Sequence, residues 1–214
     1  QKIADVPLVF GEGMDFDTFR DIPAVLTYYG KNRSWWTIEK YGLTMLNPGH
    51  FWVYEQMTDG LIKELGPDGY KYIIQNSYKH SYICRKYQIE QARLYGHFVG
   101  NCITAIRDNP LTRCGIYDDI GNLKWQPEQL GKWNAATLPI ADFGRQSRCY
   151  YANEPIKATV YVSHYGPEDI SSGTLTVELI RSGTVAAQHR FSEINIKKGT
   201  VPDVASCEFI APEV

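Results

Sequence analysis

The chain has 214 residues, a formal net charge of -2 and a hydrophobic content of 43%. That length holds one large domain or two small ones, with enough apolar residues for a core. The near-neutral charge argues against an electrostatic nucleic-acid binder, which carries a basic face and a high pI, and no run reaches the roughly 18 apolar residues of a membrane helix.

The first element is Val6-Pro7-Leu8-Val9-Phe10, a continuous apolar run that ends at Gly11-Glu12-Gly13. A run without alternation suits a strand buried on both faces, as in a parallel sheet. The glycines let the chain turn sharply, so Glu12 is expected where a buried strand opens into a loop. Residues 15–68 read as a long irregular region, in which Trp35, Trp36, Phe51, Trp52 and Tyr54 are broken by Gly30, Pro48, Gly49 and Gly60. Ser34 is placed to cap a short helix ending near Gly42. Loops this long are uncommon in compact domains unless they build a site. Residues 69–95 read as a helix, with Ile73, Ile74, Tyr78, Ile83, Tyr87 and Ala92 at near-helical spacing and Gly96 as its stop.

Residues 97–106 form the next expected strand, closed by Arg107-Asp108-Asn109-Pro110. A loop through Asp118 and Asp119 follows. Pro127 then opens a short helix expected to run to about Ala136. This alternation of strand, loop and helix implies parallel strands with right-handed crossovers. A closed barrel needs eight such units and roughly 250 residues, so residues 1–143 are expected to be only part of one.

The pattern changes near Asp142-Phe143-Gly144. Residues 158–166, 173–180, 191–194 and 205–209 read as strands, alternating or rich in β-branched residues. Short strands at regular spacing suggest an antiparallel sandwich over residues 150–214. About four or five strands fit, against about seven in an immunoglobulin-like domain, so this domain too is expected to be incomplete.

In order, these segments resemble the C-terminal half of glycoside hydrolase family 2, the β-galactosidase and β-glucuronidase type of secreted bacterial enzyme. Val6-Pro7-Leu8-Val9-Phe10-Gly11-Glu12 resembles barrel strand seven, which in that family ends in the nucleophilic Glu. Residues 100–110 resemble strand eight and its exit. Gly115-Ile116-Tyr117-Asp118-Asp119-Ile120-Gly121-Asn122-Leu123-Lys124-Trp125 resembles the family loop G-I-L-D-x-x-G-x-x-K. Trp133-Asn134-Ala135 resembles the closing helix, and Asn153-Glu154-Pro155-Ile156-Lys157-Ala158 the opening of the next sandwich. The resemblance implies the last two βα units of a (β/α)8 TIM barrel followed by an immunoglobulin-like β-sandwich. It also implies a carbohydrate partner and a secreted or periplasmic setting. The family's acid/base Glu lies on strand four, and no segment here corresponds to it. The chain therefore reads as a C-terminal piece of a longer protein.

Retaining glycosidases use two carboxyl groups about 5–5.5 Å apart. The resemblance implies that Glu12 is the nucleophile; apart from it, Glu12 reads as a turn-forming surface residue. Asp108 sits at a strand end suited to a sugar hydroxyl, or to an Asx turn in Asp-Asn-Pro. Asp118 and Asp119 suit substrate or cation binding, or simple turn chemistry. Arg107 suits a carboxylate partner or an exposed charge. Trp35, Trp36 and Trp52 suit stacking on sugar rings, or a small core under a loop. Trp125 and Trp133 read as packing. His50 is a weak site candidate, and His80 and His164 read as structural or exposed.

The cysteines Cys84, Cys102, Cys114, Cys149 and Cys207 contain no CxxC pair and no disulfide framework, and most are expected to be buried. No residue spacing indicates a metal and no glycine-rich loop indicates phosphate, so neither metal nor cofactor is expected. Asn32-Arg33-Ser34 fits a glycosylation sequon, a pattern short enough to arise by chance. Two functions follow as expectations. One is a retaining glycoside hydrolase whose activity needs a carboxyl outside this chain. The other is a non-catalytic carbohydrate-binding or scaffolding protein with a degenerate barrel. Self-association through open strand edges is a further expectation.

Overall fold

A computed structural model describes residues 7–12, 15–30, 50–95, 98–109, 112–144 and 149–213. Helix and sheet are mixed, the sheets of the second half are antiparallel, and no closed barrel occurs among the described residues. The chain divides into two compact units, Gln1–Ile89 with Val99–Leu130 and Glu90–Phe98 with Gly131–Val214.

In the first unit, β1 (Leu8–Phe10) pairs with β2 (Phe98–Asn101) in a two-stranded sheet. The Cys102 amide extends the pairing by donating to the Phe10 carbonyl at 2.8 Å. β2 is four residues long, shorter than the expected 97–106. Beyond it the chain is drawn into loop contacts with residues 112–124, which take up the backbone groups a longer strand would use.

The expectation of an irregular stretch over residues 15–68 is corrected. It contains α1 (Ile22–Tyr29) and the first limb of α2 (His50–Leu94). Asp21 caps α1 by accepting the Ala24 amide at 3.1 Å, and Pro23 sits in the first turn, where a missing N–H costs nothing. Gly30 ends the helix at φ 52°. In α2 the ladder breaks at Gly66, with φ 73° and ψ 169°, directly before Pro67. Proline removes a donor and clashes with the preceding turn, so two limbs meet there at a kink.

The second limb is the helix expected over 69–95, but its buried face differs. Tyr70, Ile74, Ser81, Arg85 and Ile89 are buried, while Ile83 and Tyr87 are 61% and 42% exposed. The buried stripe includes a serine and an arginine, so an apolar-only periodicity points it toward the wrong side. α3 (Pro127–Gly131) is one turn long, shorter than the expected 127–136.

The second unit holds a three-stranded antiparallel sheet in the order β3-β4-β7, formed by Thr137–Asp142, Pro155–His164 and Asp203–Ile210. β5 (Ile170–Arg181) and β6 (Thr184–Ile196) form an antiparallel hairpin. Ser182 and Gly183 turn it with φ of 49° and 82°, the paired positive values that match hairpin twist. β3 is a strand that the sequence reading missed. It lies at a sheet edge, where Pro139 is tolerated because no second ladder needs its amide. Ala158, Val160, Cys207 and Phe209 form the buried core of this unit. Leu175, Val177, Leu179 and Phe191 of the hairpin pack on it, which makes two layers. Trp133 and Ile140 are fully buried. His164 is also buried, with Nε2 donating to the Glu168 carbonyl at 2.7 Å and Nδ1 paired with the Thr137 hydroxyl at 2.7 Å. Among the described residues no helix is long and apolar enough to cross a membrane.

Candidate functional site

Two features of the first unit bear charged groups that the fold positions. One is the end of β1; the other is a buried ionic cluster built by residues 17–20 and 107–124. Glu12 follows β1 in a bend and is exposed. It has no hydrogen bond or ion pair among the described residues. Its carboxylate is therefore open to solvent and to whatever approaches the strand end.

The cluster is organised by backbone first. Asp108 N–H donates to the Tyr117 carbonyl at 2.9 Å, and Lys124 N–H donates to the Ile116 carbonyl at 3.0 Å. Gly115 lies inside this fold-back. A Cβ there would stand 2.5 Å from the Asp108 amide nitrogen and 2.7 Å from the Tyr117 carbonyl oxygen, so glycine is required by close approach.

Side chains then fill the enclosed space. The Lys124 ammonium donates to Asp108 Oδ1 at 2.7 Å, Thr18 Oγ1 at 2.7 Å and the Arg113 carbonyl at 2.8 Å. All three of its protons are used. Asp108 Oδ1 also accepts the Gly115 amide at 2.9 Å. Arg20 Nε lies 3.5 Å from Asp119 Oδ2, and its guanidinium donates to the Asn109 carbonyl. Arg107 donates to the Asp119 backbone carbonyl. Arg85 donates to the Cys114 carbonyl and lies over the Trp125 ring at 5.2 Å.

Burial sets the electrostatics. It pushes the Asp119 carboxyl up to about 6, against the pull of Arg20, and Asp119 Oδ1 has no hydrogen-bond partner among the described residues. It also pushes Asp108 up and Lys124 down, although each attracts the other. For both partners, loss of water outweighs the attraction of the opposite charge. A buried pair whose desolvation outweighs its attraction is weak evidence for added stability, although removing one partner alone is costly.

The expected site residues fall into separate places. Asp108 and Asp119 are brought together with Arg107, and Asp108 is committed to Lys124. Asp118 organises its own turn, accepting the Ile120 and Asn122 amides at 3.0 and 2.8 Å. Glu12 makes no hydrogen bond or ion pair with them among the described residues. Trp35, Trp36, the sequon and the helix expected after Ser34 lie outside the described residues. Of Trp52 and His50, only the helical backbone is described. Trp125 and Trp133 are buried packing residues. The expectation that most cysteines are buried is corrected: Cys114 and Cys207 are buried, Cys84 is partly exposed, and Cys102 and Cys149 are exposed.

Lys124 stood in the quoted loop motif without a role, yet its full burial makes it the cluster's hub. Arg20 and Arg85 were missed altogether. Only the loss of a charged residue to a buried helix face or loop could have marked them, and that is not visible in periodicity.

Residues 154–214 match a family described as a domain of unknown function (DUF8488). The match spans β4 to β7 and includes neither Glu12 nor the cluster. No curated protein matches the chain.

Proposed function

We propose that the first unit carries the nucleophile end of a retaining glycoside hydrolase of the family 2 type, with Glu12 as the attacking carboxylate. The observation that carries this reading is the position of Glu12. It is an exposed, uncommitted carboxylate two residues past the end of β1, the strand that pairs with β2, with a long helix between the two strands in sequence. Groups at that end of a barrel strand are the ones that reach substrate. Val9 and Val99, on the paired strands, are 55% and 61% exposed. Barrel strands are covered on both faces, so in this reading further barrel elements cover them. The second unit, in the same reading, is an immunoglobulin-like sandwich. The partner is a poly- or oligosaccharide, and the setting is secreted or periplasmic.

In this mechanism Glu12 attacks the anomeric carbon to give a glycosyl-enzyme, while a second carboxyl protonates the leaving oxygen and later activates water. That second carboxyl comes from outside these residues. The buried cluster contributes by holding the loop after β2 in one shape; its aspartates are not free to serve as the acid.

The test uses a polypeptide extended upstream to include an acid/base strand, assayed on aryl-glycosides. Glu12→Gln removes turnover by several orders of magnitude. Glu12→Gly is rescued by azide, and the glycosyl azide product has inverted configuration. Undiminished turnover by Glu12→Gln refutes the assignment. The 214-residue chain alone is inactive on the same substrates.

A further inference from the structure

We infer that Asp15 and Thr104 are a positioning pair, which fixes the bend carrying Glu12 against the exit of β2. The inference rests on the nucleophile reading of Glu12, and one arm of its test is independent of that reading.

The bend is tied to one short segment from both sides. Upstream of Glu12, the Phe10 carbonyl accepts the Cys102 amide at 2.8 Å. Downstream, Asp15 Oδ2 accepts the Thr104 hydroxyl at 2.5 Å. Cys102 and Thr104 follow closely on β2, which ends at Asn101. The first tie is a backbone bond that prolongs the pairing of β1 with β2. The second is made by side chains beyond that pairing. The next contacts downstream are the Phe16 carbonyl, which accepts the Ser81 hydroxyl at 3.0 Å, and Asp17, which meets Arg113 at 2.5 Å. They hold the chain to α2 and to residue 113, and leave the spacing between the bend and the β2 exit unset.

The Asp15–Thr104 bond suits that task. An O–H···O⁻ contact of 2.5 Å lies in the charge-assisted range, roughly twice as strong as a neutral hydrogen bond. Thr104 is β-branched, so its hydroxyl sits on a side chain with few rotamers to lose. Glu12 has no hydrogen bond or ion pair among the described residues, so the backbone on either side of it sets where its carboxylate points. Attack on an anomeric carbon needs the reacting atoms about 3–3.5 Å apart and aligned, and a misplacement of about 1 Å can cost about 100-fold. Loss of the downstream tie therefore acts on kcat more than on KM.

The test has two arms. On the 214-residue chain, amide ¹⁵N relaxation is read at Gly11 and Glu12. A fixed backbone gives an order parameter of about 0.85, and Thr104→Val or Asp15→Ala lowers it toward about 0.6. On the upstream-extended polypeptide, the same variants lower kcat about 10–100-fold on aryl-glycosides, with KM within about twofold. Thr104→Ser keeps the hydroxyl and Asp15→Asn keeps an accepting oxygen, so each recovers most of the turnover. The double variant Asp15→Ala/Thr104→Val is no worse than the poorer single one, because both remove the same bond. Unchanged order parameters or additive losses overturn the proposal. So does a rise in KM at constant kcat, which would make Asp15 a sugar contact. Turnover that survives Glu12→Gln overturns the nucleophile reading instead, and the relaxation arm then decides alone whether the pair fixes the bend.

Discussion

Lys124→Met tests whether the buried cluster is held by charge compensation. The Lys124 side chain is 0% exposed and the Asp108 side chain 2%, with 2.7 Å between Nζ and Oδ1. Methionine matches the length and volume of lysine but donates no hydrogen bond. Asp108 would keep the Gly115 amide and lose its cation, as Thr18 Oγ1 and the Arg113 carbonyl lose a donor. Breaking a buried pair from one side costs about 3–5 kcal/mol, because an uncompensated charge remains. Adding Asp108→Asn removes that charge while the side-chain oxygen still accepts from Gly115. The double variant should recover a coupling energy of about 2 kcal/mol. The assay is native-state hydrogen exchange at the amides of Asp108, Tyr117 and Lys124, all of which are hydrogen-bonded within the loop. A loss below about 1 kcal/mol for Lys124→Met, or no recovery in the double variant, would refute the reasoning.

Other outcomes follow from the same geometry. The Asp119 carboxyl titrates near 6 in the folded chain against an ordinary 3.8. A raised folded value means that the stabilising contribution is complete below pH 3.8 and disappears as pH rises through about 6. The difference amounts to about 3 kcal/mol, and Asp119→Asn should flatten the decline of the urea midpoint between those pH values. Parallel profiles for the two proteins would count against the burial of this carboxyl. Gly115→Ala drives a methyl into backbone atoms of Arg107, Asp108 and Tyr117 and should cost about 1–3 kcal/mol in urea unfolding. Glu12→Gln alters an exposed, unpaired side chain, so it should change stability by less than about 0.5 kcal/mol while removing catalysis from the extended polypeptide.

Elements with strict local signals were legible in the sequence. The hairpin strands alternate between the packed and open faces, and their pairing follows that period of two. The long helix was legible only after Pro67, because its first limb carries Gly60 and a run of aromatics that also suit a loop. β3 was illegible because Pro139 argues against a strand unless the strand is known to be an edge. Edge position is a property of the assembled sheet and has no local signature. α1 carried a readable Asp21-Ile22-Pro23 start, but its eight residues are too few for periodicity to register.

The same division separates Glu12 from the cluster. Glu12 was singled out by the resemblance of the apolar run before it to a family strand, and the structure leaves that carboxylate exposed and unpaired among the described residues. Asp108 and Asp119 looked equally suited to bind something, since nothing local distinguishes a carboxylate that will meet solvent from one that will be enclosed. The distinction comes from Arg20 and Lys124, which are distant from Asp119 or Asp108 in sequence and reach them only once the loops close. A carboxylate surrounded by its own donors has its lone pairs and its orientation already assigned. Nucleophilic attack needs a carboxylate whose oxygen can advance on carbon, and of these residues only Glu12 is free to do so.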